Sequence, residues 1–208
     1  MQIDNSRYQW IVGGIALVMV LAFSIVMYTS NKHHGHPGVG AGKALPRFVA
    51  PLALGGPDDS ANISPHCRAG DPAPGGLNVC GRGALVLDLF SNSAGPCIAS
   101  VNALQALAAR DQGGAAVSFA AVAAGGSQAQ TRALVRRHRW TIPVAFDPSG
   151  AVGQLYDVTV CPLIEVASGA RVRRLLIGER YTNPVVLAAA VKGALTLGQG
   201  ERPPRGRG

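Results

Sequence analysis

The sequence predicts a layered α/β domain with a mixed-direction sheet, carried behind one N-terminal membrane helix. Three observations lead there. Residues 10–28 (WIVGGIALVMVLAFSIVMY) form an uncharged apolar run. Short, nearly continuous apolar runs alternate with segments of helical spacing from Ala84 onward, as in a sheet buried on both faces by helices. The last two apolar runs flank Ser168-Gly169, a hairpin signal, which makes part of the sheet antiparallel.

Taken in chain order, residues 1–9 are a short cytoplasmic N-terminus and 10–28 a single-pass anchor. Roughly 20 apolar residues rising ~1.5 Å each match a hydrocarbon layer of ~30 Å. Trp10 and Tyr28 stand at its two interfaces. A cleaved signal peptide is the competing reading, but no small-x-small site follows the run. Arg7 precedes the span, while Lys32, Lys43 and Arg47 follow it, which by charge alone slightly opposes an outward-facing domain. Four cysteines in a domain of this size favour an oxidising compartment. The expectation is therefore a domain outside the cytoplasm, held at the cell membrane.

Residues 29–45, rich in Gly, His and Pro, read as a flexible tether. His33, His34 and His36 read as linker polarity rather than a metal site. The domain is expected over 46–196. Its first part, 46–83, reads as irregular and contains Cys67 and Cys80. Outside the cytoplasm that pair is expected to form a structural disulfide; zinc is not, since paired Cys-x-x-Cys spacing is missing. Strands follow at 84–90 and 117–122, with a helix from Pro96 to Arg110 between them. A polar helix over 127–139 leads to a short extended piece at 143–146 and a helical turn at 150–156. Strands at 163–166 and 171–177 come next. Asn183 caps a final helix with Pro184 in its first turn. Residues 197–208 are a disordered basic tail. The formal net charge of +8 lies partly in this tail and in two arginine groups, Arg136, Arg137 and Arg139, and Arg171, Arg173 and Arg174. Beside a membrane span, these fit a solvated face or anionic lipid. No nucleic-acid motif accompanies them, so no nucleic-acid partner is expected.

The stretch Asp88-Leu89-Phe90-Ser91-Asn92-Ser93-Ala94-Gly95-Pro96-Cys97 resembles the active-site region of the thioredoxin-like superfamily. There an acid ends a strand and a Cys-Gly-Pro-Cys motif opens a helix. Asp157-Val158-Thr159-Val160-Cys161-Pro162-Leu163 stands where that family has its cis-proline. Phe146-Asp147-Pro148-Ser149-Gly150-Ala151 and Leu155-Tyr156-Asp157-Val158 are similar to the membrane-anchored thiol-disulfide reductases. They are also similar to the alkyl hydroperoxide reductase and thiol-specific antioxidant redoxins. The resemblance covers about 46–196 and implies a central mixed sheet flanked by helices, a cis Pro162 and no cofactor or metal. It also departs from the family. The attacking cysteine is Ala94 and the tryptophan before it is Ser93, so exchange within this motif is excluded.

Three readings follow. In the first, a thiol-disulfide oxidoreductase, Cys97 pairs with Cys161 in place of the lost cysteine. Asp88, the only charged residue of its strand, takes the proton, and the partner is a thiol or disulfide protein. In the second, a non-catalytic thioredoxin-fold module binds a partner beside Pro162. In the third, a peroxiredoxin-like peroxidase uses Cys97, although the hydroxyl expected at its motif is absent at Ala94 and its upstream proline is Phe90.

Overall fold

A computed structural model of the protein describes residues 14–24, 36–68, 71, 73–81, 83–111 and 117–197. Residues 1–13, 25–35 and 198–208 lie outside the described residues, so the cytoplasmic N-terminus, both ends of the expected span, His33, His34 and the basic tail do too. Residues 14–24 form a helix, α1, whose large apolar side chains are exposed. Among the described residues, no helix is long and apolar enough to cross a membrane.

The second compact unit begins at His36. Its sheet contains β3 (Ala84–Phe90), β4 (Val117–Ala124), β5 (Val144–Asp147), β6 (Leu163–Ser168) and β7 (Arg171–Ile177), in the order β5-β4-β3-β6-β7. β3, β4 and β5 are parallel, and β6 and β7 are antiparallel to their neighbours. The parallel pairs require crossovers, supplied by α2 (Gly95–Arg110) and by α3 (Gln128–His138). A short α4 (Ala151–Leu155) follows β5, and a 3-10 turn (Glu179–Thr182) leads into α5 (Pro184–Leu197).

Strand alternation divides the core in two. Val86 and Phe90 point to one face and pack with α2, α3 and α5 through Val101, Leu134 and Leu187. Leu87 and Leu89 point to the other and pack with Phe48, Val152 and Tyr156. Local signals place the helix ends. Ser127 and Gln130 form a capping box at the start of α3. Asp147 accepts from Val152 N at 2.6 Å and from Ser149 Oγ at 2.8 Å, so the Phe-Asp-Pro-Ser-Gly stretch is a tight turn into α4.

Two expectations are corrected. The stretch 46–83 is not wholly irregular. β1 (Phe48–Pro51) and β2 (Gly76–Val79) pair antiparallel, with Phe48 and Ala50 buried. Gly and Pro between the strands hid a pairing between short segments 25 or more residues apart. The tether does not reach residue 45, because residues 38–45 are fixed to the sheet. Gly38 N donates to Asp157 O at 3.2 Å, Gly42 N to Val172 O at 2.8 Å and Leu45 N to Ala170 O at 3.0 Å. Leu45 is buried. Gly38 is at φ 81°, and a Cβ there would sit 2.6 Å from Leu175 Cδ1, so only glycine fits this approach.

Phe90 is fully buried and meets Trp140 edge-to-face at 5.8 Å between centroids. Phe90→Ala is expected to cost about 3–5 kcal/mol, read as a lower urea midpoint with an unchanged slope.

Candidate active site

β3 and β6 build the site. Their antiparallel register sets Leu89 opposite Leu163. The loop leaving β3 and the loop entering β6 therefore meet at one end of the sheet. The first carries Ala94, Gly95 and Pro96 into α2, with Cys97 in the first helical turn. The second carries Cys161, and the Cys161–Pro162 peptide is cis. The sulfurs of Cys97 and Cys161 are joined, with Cα atoms 5.4 Å apart across a separation of 64 residues. Cys67 and Cys80 are also joined, with Cα atoms 5.8 Å apart. Both spacings fall within the range a disulfide spans.

The two halves of the Cys97–Cys161 pair have different surroundings. Cys97 is 1% exposed and belongs to the cluster of Phe90, Val101, Ile164 and Leu176. Cys161 is half-buried and packs against the same cluster from its edge. Ala94 is the N-cap of α2 but supplies no capping side chain. The start of the helix is thus left with its positive dipole end beside Cys97.

Asp88 is fully buried on the α2 face of β3, and neither carboxyl oxygen has a hydrogen-bond partner. Burial pushes its pKa up to about 7, and the nearby Ser100 hydroxyl opposes this only in part. That hydroxyl is committed to Cys97 O at 2.8 Å. Asp88 and the backbone of Cys97 are therefore linked through one serine.

A second buried acid, Glu165, was not singled out from the sequence. It lies on the opposite face of the sheet, paired with Leu87, and accepts from Val39 N at 2.6 Å. Burial raises its pKa to about 7, with the Val39 bond opposing. Tyr156, whose hydroxyl donates to Pro46 O at 2.8 Å, is raised above its ordinary value by burial and then by the Glu165 charge. The signal for Glu165 was the one that marked Asp88, a lone acid in an apolar strand, here LIEVA.

A cleft of about 450 Å³ opens beside the active loop, lined by Ser91, Asn92, Ser93, Gly126 and Arg137 among others. Neither cysteine lines it. Among the described residues, no group of three or more His, Cys, Asp and Glu side chains is placed to hold a metal ion.

No family model matches the chain, and no curated protein does. Solved structures do. A Chlorobium tepidum protein provisionally assigned as a thiol:disulfide interchange protein DsbE superposes with a TM-score of 0.58 at 17% identity, over 76% of this chain and 97% of that one. A secreted Mycobacterium tuberculosis disulfide oxidoreductase matches at 0.51 and 13%, over 70% and 94%. The peroxidoxin BcpB of Mycobacterium tuberculosis matches at 0.54 and 16%, over 80% and 99%. The described domain thus has the thioredoxin-like fold, with its central mixed sheet and flanking helices. At these identities the likeness concerns the fold alone.

The buried acid gives a pH test. Asp88 ionises near its ordinary pKa in the unfolded chain and near 7 in the fold. Its protonated form therefore favours folding, and that contribution fades as pH rises from about 4 through about 7. Asp88→Asn removes the charge and keeps the shape. The difference in melting temperature, variant minus parent, is expected to be more positive at pH 8 than at pH 5, as measured by calorimetry.

Proposed function

We propose that the chain is a membrane-anchored, extracytoplasmic thiol-disulfide oxidoreductase that exchanges through Cys97 and Cys161 with a thiol or disulfide protein. The observation that carries this reading is the pairing of those two sulfurs between the first turn of α2 and the loop beside Pro162. A partner thiolate opens the bond to give a mixed disulfide and one released protein thiolate. A second partner thiolate then attacks the mixed disulfide and releases the other. Two electrons pass from the partner dithiol to the protein, and the same steps reversed return them. Asp88, held near neutrality, exchanges a proton with Cys97 as the thiolate forms. Two of the solved neighbours, the Chlorobium tepidum DsbE-like protein and the secreted Mycobacterium tuberculosis oxidoreductase, are redox proteins by name, which agrees with this chemistry.

The anchor rests on the apolar run 10–28 and on the exposed apolar side chains of α1. The outward placement rests on the cysteines. In cells, the full chain is expected to stay with the membrane through carbonate extraction, and protease added from the outer side is expected to cleave it. Release by carbonate would remove the anchor.

Exchange itself is read by equilibrating the full chain in graded dithiol buffers and mapping disulfides by mass spectrometry. Cys97–Cys161 is expected to open reversibly in a less reducing buffer than Cys67–Cys80, because the helix start stabilises the Cys97 thiolate. A bond that opens only when the protein unfolds supports a non-catalytic binding module instead. A sulfenic acid forming rapidly on reduced Cys97 with peroxide supports the peroxidase reading.

A further inference from the structure

Resting on the exchange reading above, the geometry points to Cys161, on the proline loop, as the sulfur that forms the mixed disulfide with the partner. Cys97, at the helix start, is the buried sulfur that resolves it. The resemblance leads one to look for the attacking cysteine at the helix, three residues before Cys97. That position is Ala94, so the task passes to one member of a pair with unequal access.

The asymmetry is steric and electrostatic. Thiol–disulfide exchange requires the incoming sulfur to reach the attacked sulfur, and the other sulfur departs as a thiolate. Cys97 is 1% exposed and enclosed by the packing of β3, α2 and β6, so a partner chain has no path to it. Cys161 is half-buried, and its neighbour Val160 is 40% exposed. The leaving charge then develops on Cys97, at an uncapped helix start that favours it. Attack on Cys97 would instead leave the charge on Cys161, at the head of a strand with no such field.

In the reducing direction, Cys161 thiolate attacks the partner disulfide and one partner sulfur leaves as a thiolate. Cys97 thiolate then attacks Cys161 Sγ, the second partner sulfur leaves, and the Cys97–Cys161 bond forms. The partner disulfide gains two electrons and the protein dithiol loses them.

The rim around Cys161 also selects the probe. The two loops that carry the sulfurs, residues 89–98 and 158–164, hold no charged side chain, and Gly95, Pro96 and Val160 are exposed on them. The matching probe is an uncharged peptide with one cysteine, activated as its mixed disulfide with 5-thio-2-nitrobenzoate. The full chain in detergent is prepared as Cys97→Ser and as Cys161→Ser. Release of the coloured thiolate gives the rate, and mass spectrometry identifies the adduct.

Cys97→Ser is expected to load the peptide on Cys161 and hold it. Cys161→Ser is expected to load about 100-fold more slowly, through local opening alone. A second measurement avoids any folding defect in the variants. The parent protein is reduced and briefly alkylated, and the label is expected on Cys161 over Cys97 by about tenfold or more. Faster loading of Cys161→Ser, or a label chiefly on Cys97, overturns the assignment and leaves the exchange reading standing. If the parent bond neither opens nor re-forms in thiol buffers, the exchange reading fails and this assignment fails with it.

Discussion

The pairing of β3 with β6 is the constraint on which the site depends. Leu89 opposite Leu163 brings two loops far apart in sequence to one end of the sheet. Because the strands run antiparallel, the exit of β3 and the start of β6 share that end. A slip of one residue would also turn Asp88 to the opposite face and exchange the two core clusters. Burial on both faces prevents this, since Val86 and Phe90 fill one cluster and Leu87 and Leu89 the other.

The same sheet holds three acids at 0% exposure; Asp147 is satisfied by the turn into α4, while Asp88 and Glu165 lie on opposite faces of adjacent strands. In place of the latter two, an apolar pair of similar volume would give a more stable core, because buried carboxyls without full partners are costly. Asp88 and Glu165 are not equivalent. Glu165 has a backbone donor from the segment entering the domain, Val39, and fixes that segment to the strand that begins beside Pro162. Asp88 has no hydrogen-bond partner of its own, and its neighbour Ser100 is committed to Cys97 O. A buried carboxyl left in that condition is suited to holding a proton.

Much of this was legible in the sequence, for reasons that differ by element. The runs ALVLDLF and LIEVAS show as strands because both their faces are buried, and α3 shows as a polar, arginine-rich segment. β1 and β2 did not show. Four-residue strands among glycines and prolines have no period to read, and their pairing comes from tertiary contact. The start of the domain was placed too late because Gly38 and Gly42 resemble a linker. In fact Gly38 allows close approach to Leu175 of β7, and Gly42 supplies a left-handed backbone position at φ 84°. At the site, the resemblance to the thioredoxin-like superfamily marked Cys97 and Pro162, and Asp88 was marked both by that resemblance and as the only charge in its strand. The unequal burial of Cys97 and Cys161 is a property of packing and could not be read from residue types.

Moving one half of the redox pair from the helix loop to the proline loop changes how redox state couples to folding. A Cys-x-x-Cys bond closes a loop of about four residues and constrains the unfolded chain by about 2 kcal/mol in the chain-entropy account. A bond across 64 residues constrains it by about 4 kcal/mol on the same account. Opening the bond therefore removes more stability here than in the usual arrangement, and the reduced domain must rely on its packing to keep both loops in place. The packing around α2 fits that demand. Val101 and Leu104 anchor the helix in the core formed with Ile164, Leu176 and Leu187, and Trp140 Nε1 donates to Asn102 Oδ1 at 2.7 Å. The core contacts join the helix that carries Cys97 to the strand that follows Cys161, and the Trp140 bond ties the same helix to the segment entering β5, all without using either sulfur. The two sulfurs can then separate and rejoin while the elements around them stay in register.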